Sequence, residues 1–240
     1  MKSPTNRGPR PAAARAEAPE AARAEAGFTM LELLIAVAIS LVLMTLTSTL
    51  LAGSFNARAR EDQRSAALAD AQRALNIMSR EIANSGFGLS NNGLVAADSG
   101  TSTIRIRANL NAFDREATSG TVSDADEDVR YALQQGGGDS YVLRLDVNTG
   151  ALTTVFANRV DSLVIRYFPG KVSYAPAECD VALPSGAAEV AQKSEARYIV
   201  ISVCVLLPEV GRPGAPGYQA PSRVQLTSDV TIRNRSLTQF

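Results

Sequence analysis

Residues 27–52, GFTMLELLIAVAISLVLMTLTSTLLA, place one acid, Glu32, at the head of an otherwise uncharged apolar run. The uncharged stretch covers 33–57, and about 20 apolar residues are enough to carry a helix across a bilayer. A carboxylate inside hydrocarbon is costly, so an acid in a span points to a role and needs a named partner. Cutting the chain after Gly27 would free an α-amine on Phe28, one helical turn from Glu32 and on the same face. Amine and acid would then neutralise each other. The competing reading is an ordinary signal anchor with an incidental acid.

Residues 1–27 are rich in Pro, Ala and Arg, show no hydrophobic periodicity and read as a leader outside the fold. Five basic residues (Lys2, Arg7, Arg10, Arg15, Arg23) outnumber three acidic ones (Glu17, Glu20, Glu25) there. By the positive-inside rule the N-terminus stays cytoplasmic and everything after the span is exported. The small residues Ala52, Gly53 and Ser54 offer only a weak signal-peptidase site, so the helix is expected to be retained. The expected division is therefore a leader over 1–27, a long helix over 28–85 with its transmembrane part at 28–52, and a globular domain over 86–240.

Past the span the helical pattern continues, with no Pro or Gly between Ser54 and Gly86. Leu68, Ala71, Leu75, Met78 and Ile82 recur at three- and four-residue steps, giving one apolar stripe with Arg73, Arg80 and Glu81 off it. Asn84, Ser85 and Gly86 form a stop signal. At 1.5 Å per residue such a helix is a rod of roughly 85 Å.

After Gly88 the period changes to two. Strands are expected at 103–107, then around Val129, Tyr131 and Leu133, then with Tyr141, Leu143, Leu145 and Val147 facing inward, closed by a turn at Asn148, Thr149 and Gly150. Further strands follow at 152–156, at 160–168 with Leu163, Ile165 and Tyr167 on one face, at 198–207 and at 224–232. The 198–207 run is apolar on both faces apart from Ser202 and reads as the most central strand. One helix followed by strands on short turns implies an α+β fold, an antiparallel sheet laid on the helix. The segments 93–103, 112–127, 170–195 and 209–221 read as surface loops, the two longest of them open to partners.

The residues at the head of the span carry a resemblance. Gly27, Phe28, Thr29, Met30, Leu31 and Glu32, followed by Leu33, Leu34, Ile35 and Ala36, resemble the class III signal of type IV prepilins and type II secretion pseudopilins. The resemblance implies a prepilin peptidase that cuts after Gly27 and methylates the new N-terminal Phe28, with Glu32 acting in assembly. Gln72, Arg73, Ala74 and Leu75, then Met78 to Ile82 and the pair Gly86 and Phe87, are similar to the helix end of PilW-type minor pilins and of the J-type pseudopilin. Weaker similarity to that group runs through 129–133, 143–144, 160–167 and 230–234. The implied protein is a structural minor pilin, held in the bacterial inner membrane with its sheet domain in the periplasm and then built into a surface filament. Its implied partners are the peptidase, other pilins, the inner membrane and the assembly platform. A type II secretion pseudopilin is the alternative within the same machinery, and a signal-anchored periplasmic binding or enzyme domain is the alternative of another class.

Composition agrees with a non-enzymatic role. The chain has no histidine, which removes the commonest general base and transition-metal ligand. Twenty-four basic side chains match 24 acidic ones, so no electrostatic footprint for nucleic acid appears. No cofactor or metal is expected. Asp124, Asp126 and Asp128 have the alternate spacing of calcium-loop ligands, but Val129 stands where that loop needs Gly, and the expected reading is a solvated acidic turn. Gly136, Gly137 and Gly138 precede a strand and read as a hairpin turn. Cys179 and Cys204 both fall in the exported part, where an even count fits one disulfide. Two buried thiols are the other reading, and the bridge is favoured.

Overall fold

The computed structural model describes residues 28–112, 122–136, 139–155 and 159–234. Its contacts form two compact units, Met1–Leu46 and Thr47–Phe240. The first helix, α1, is Met30–Ala83, 54 residues long.

In the first unit every described residue is exposed, including large apolar side chains such as Leu34, Ile35 and Leu41. The hydroxyls of Ser40 and Thr45 turn back on the helix, donating to Ala36 O at 2.7 Å and Val42 O at 2.8 Å. In hydrocarbon a helix must satisfy its polar groups internally, and these bonds do so for two hydroxyls on an apolar surface. Among the described residues one helix, α1, is long and apolar enough to cross a membrane.

In the second unit α1 becomes one-sided. Ala71, Leu75, Met78 and Ile82 of the expected stripe are buried and Leu68 is half-buried, while Ala67 and Ala74 join the buried face. The small alanines let strands approach the helix, and Met78 and Ile82, both fully buried, contribute roughly 1.5–3 kcal/mol each. The helix ends where the stop signal lies. Gly86 takes φ +79°, and a Cβ there would sit 2.5 Å from Asn91 O, so only glycine fits the exit turn.

The strands are antiparallel but do not form one sheet. Strands β1 (Thr103–Arg107), β2 (Asp128–Gly136), β3 (Asp139–Asp146) and β4 (Leu152–Thr154) make a four-stranded meander in chain order. Strands β5 (Val160–Phe168), β8 (Tyr198–Leu207) and β9 (Ser222–Thr231) make a second sheet in the order β5-β8-β9. A small hairpin, β6 (Ala175–Ala177) and β7 (Asp180–Ala182), stands between them in sequence. β8 is central, as its two-faced apolar pattern requires. Ile199, Ile201 and Val203 join the main core shared with α1 and the four-stranded sheet, while Tyr198 and Val200 join a second cluster with Phe168 and Val181 of the hairpin. The 170–195 segment thus covers apolar surface rather than lying free. The sheets meet where Ile165 N donates to Thr101 O at 2.7 Å and the Tyr167 hydroxyl donates to Gly100 O at 3.0 Å.

Two side-chain assignments change. On β3 the buried residue is Val142, while Tyr141, Leu143 and Leu145 are half-buried. Register decides the face: Arg144 pairs with the buried Tyr131, so the Val142 and Arg144 side is the helix side. The acidic turn is not simply solvated either. Glu127 and Asp128 are 1% and 3% exposed, although Asp124 and Asp126 are open to solvent. Glu127 accepts from Leu110 N at 2.8 Å and Asp124 N at 3.0 Å, so it closes the turn. Asp128 takes a two-bond fork from Arg105 at 2.7 and 2.8 Å and a further bond from Arg107 at 2.8 Å. Burial alone would push the Asp128 carboxyl up, but the hydrogen bonds from both arginines outweigh it and hold it below the usual carboxylate range.

Candidate functional site at the N-terminal turn of α1

Gly27 lies outside the described residues; Phe28 and Thr29 precede the first turn of α1, and Phe28 is 85% exposed. Thr29 stands at the helix N-cap and Glu32 three residues on. The Glu32 carboxylate accepts from Thr29 N at 3.0 Å and from the Thr29 hydroxyl at 3.0 Å. In return Glu32 N donates to Thr29 Oγ1 at 3.3 Å. This is a capping box, in which two backbone donors left over at a helix start are satisfied reciprocally. The signal for it, Thr-x-x-Glu ahead of an apolar run, stood in the sequence and was not used there.

The geometry fixes where the acid points. The carboxylate is folded back over the N-terminal end of the helix, toward the backbone of Thr29 and away from the apolar surface of the turns that follow. The positive end of the helix dipole favours a negative group at this place. Phe28 is the next residue back along the chain from Thr29, which the acid holds.

The other site residues lie in the second unit. The structure joins the sulfurs of Cys179 and Cys204 in a disulfide, with Cα atoms 5.3 Å apart. Cys179 occupies the turn of the β6–β7 hairpin, where Glu178 and Cys179 have φ +28° and +69°, and Cys204 lies on β8. Gln225 on β9 braces the same turn, its Oε1 accepting from Cys179 N at 3.2 Å. Arg166 on β5 reaches Asp180 on β7 and, at 2.7 Å, Glu189. Its bond to Asp180 holds that carboxyl below the usual range.

A group that the sequence reading set aside joins helix and sheet. Glu81, off the apolar stripe, accepts from the Tyr131 hydroxyl at 2.7 Å and from Arg144 Nε at 3.1 and 3.2 Å. Arg144 also reaches Asp126 at 2.6 Å. Periodicity could not show this, because the partner strand supplies the charge.

The model of the prokaryotic N-terminal methylation motif matches residues 22–48. Among solved structures the chain is similar to a type IV-like pilin from Thermus thermophilus, at 11% identity and a TM-score of 0.41, over 70% of this chain and 97% of that one. No curated protein matches it. The chain therefore carries a prepilin-type methylation motif on a long apolar helix followed by antiparallel sheets.

Proposed function

We propose that the protein is a minor pilin, processed by a prepilin peptidase between Gly27 and Phe28, N-methylated on Phe28, and built into a type IV pilus at its tip or at the start of assembly. The carrying observation is the methylation motif over 22–48, in which Gly27, Phe28 and Glu32 have the spacing that processing and helix bundling require. The capping turn supports it, since the Glu32 carboxylate is folded back onto Thr29, the residue next to Phe28. In this reading the chain is a structural subunit, not an enzyme. It waits in the bacterial inner membrane as a single-pass protein with a cytoplasmic N-terminus and a periplasmic sheet domain, then packs its apolar half-helix among those of other pilins above the assembly platform. The similarity of the helix end to PilW-type proteins supports the minor-pilin assignment.

Mass spectrometry of protein recovered from membranes tests the proposal. The expected N-terminus is N-methylated Phe28, and Gly27→Leu is expected to leave the precursor uncut. A mature N-terminus near Ser54, or normal assembly of the uncut precursor, would overturn it. Loss of twitching or DNA uptake on deletion fits a pilus subunit, and loss of enzyme secretion instead would reassign the chain to a type II secretion pseudopilin.

A further inference from the structure

The 209–221 segment between β8 and β9 is fastened to α1 just beyond the expected span. Gly217 takes φ +75°, and a Cβ on it would overlap Gly53 Cα and lie 3.2 Å from Gly53 N, so the two backbones touch without side chains between them. A Cβ on Gly211 would lie 3.0 Å from Asn56 Nδ2. One turn further along, Arg60, 8% exposed, donates through Nη2 to Gln219 O at 3.1 Å and to Ala220 O. The base of the turn is closed by the Val210 and Gln219 bridge and by the Tyr218 hydroxyl, which donates to Glu209 at 2.7 Å. Gly53, Asn56 and Arg60 share one helix face, and the turn lies along it.

This attachment sets a depth. The expected span ends at residue 52 and the uncharged run at residue 57, so Gly53 to Arg58 covers about 7 Å of helix at 1.5 Å per residue. That is the level of the phospholipid headgroups outside the hydrocarbon. A segment resting on Gly53 and Asn56 lies in that layer. Its composition suits the place: Arg212 near its start, then Pro213, Ala215 and Pro216, all exposed, with Tyr218 half-buried behind them. Arg58 is exposed on the helix at the same level, and among the described residues neither Arg58 nor Arg212 has a salt-bridge partner. Glu209, the acid of this segment, is engaged by Tyr218. The acids Glu61 and Asp62 lie further along the helix, beyond that level.

We propose that the 211–218 turn is a membrane-contacting foot, with Arg212 and Arg58 on phospholipid phosphates and the Pro and Ala residues against the interface. The inference rests on the reading that 28–52 span the membrane, and it adds a second contact of the same chain with that bilayer. Its occupant is a lipid headgroup, because the turn is placed by a residue adjoining the span and presents cations to a layer of phosphates.

The test uses the full chain, disulfide intact, in vesicles of phosphatidylethanolamine and phosphatidylglycerol. Single cysteines at Ser48, Ala215 and Thr149 carry an environment-sensitive fluorophore, and lipids bear quenchers at either headgroup or acyl depth. The Ser48 probe should be quenched from acyl depth, the Ala215 probe from headgroup depth, and the Thr149 probe from neither. Arg212→Glu should bring the Ala215 signal down to the Thr149 level. An unquenched Ser48 probe would remove the membrane span and the foot together. A quenched Ser48 probe with Ala215 no different from Thr149 would overturn the foot alone.

Discussion

The Tyr131 hydroxyl donates to Glu81 at 2.7 Å, and through that bond the face of α1 that leaves the core is tied to the middle of the four-stranded sheet. Arg144, opposite Tyr131 on β3, completes the contact by donating to the same carboxylate. Tyr131→Phe removes one hydrogen bond and should cost about 1 kcal/mol. Glu81→Leu strips a half-buried arginine of one of its two carboxylates and should cost about 2 kcal/mol. Urea unfolding of the two variants measures both, and a Glu81→Leu protein as stable as its parent would show that the contact is incidental.

The same tyrosine takes part in a pH dependence. Burial first, and then the Glu81 charge, push the Tyr131 phenol well above its ordinary value; burial does the same for Tyr167, and burial with Asp229 for Tyr198. Tyr174, also facing Asp229, is raised to about 12. The folded state then holds phenol protons that the unfolded state releases near its reference value of about 10, so this contribution to stability is complete below about pH 10 and is lost as pH rises through the folded values. A tyrosinate absorbance titration should show fewer ionised phenols at about pH 11 in the folded protein than in urea. Coincident curves would refute the raised values.

Much of this was legible along the chain and some was not. β8 could be read as central because a strand covered on both sides must be apolar on both sides, and Ile201 and Val200 do face two different clusters. The ends of α1 were legible because Gly86 marks a backbone turn that is local in cause. The face of β3 was not legible, since Tyr141, Leu143 and Leu145 outweigh Val142 in any alternation count, and the inward side is fixed by the register that sets Arg144 opposite Tyr131, with Glu81, 63 residues before Arg144, supplying its charge partner. The burial of Asp128 was hidden for the same reason: Arg105 and Arg107, on β1, carry the charge that permits it, while Glu127 is held by the backbone of Leu110 and Asp124. At the N-terminal site the order and spacing of Gly27, Phe28 and Glu32 carried only the resemblance to prepilin signals, and the cap that Thr29 forms with Glu32 is equally local in cause.

Cys179 and Cys204 are expected to be oxidised after export. At a sequence separation of 25, the bridge should contribute on the order of 3 kcal/mol by restricting the unfolded chain. Maleimide labelling of denatured, unreduced protein should find no free thiol, and the Cys179→Ser, Cys204→Ser double variant should unfold at lower urea concentration. Two labelled thiols per chain would rule the bridge out.

The contact of Gly217 with Gly53 predicts an asymmetry between two glycines. Gly217→Ala places a Cβ against helix backbone and demands a left-handed φ from alanine, costing at least about 1–2 kcal/mol before any displacement of the 209–221 segment. Gly53→Ala puts its Cβ 3.9 Å from Gly217 Cα, ordinary contact, and should be neutral or stabilising by up to about 1 kcal/mol because alanine favours the helix. Thermal unfolding in detergent ranks the pair. Equal melting temperatures would mean that the segment does not rest on α1 in solution.

Glu32 separates a filament subunit from a plain anchor, and its geometry allows the charge to be tested apart from the cap. As a mere anchor the span should insert at least as well with Glu32→Leu, because removing an acid lowers the cost of transfer into lipid. As a pilin, Glu32→Leu should spare leader cleavage and insertion but impair incorporation, since an unpaired amine in the low-dielectric bundle is penalised. Leucine also removes the acceptor for Thr29, so Glu32→Gln is the sharper variant: glutamine serves a capping box as well as glutamate does but cannot neutralise an amine. If the charge acts in assembly, both variants should be processed normally, remain in the membrane fraction and be depleted from sheared filaments. Recovery of Glu32→Gln in filaments at the parental level would assign Glu32 to capping alone. Recovery of Glu32→Leu at that level would remove the assembly role altogether.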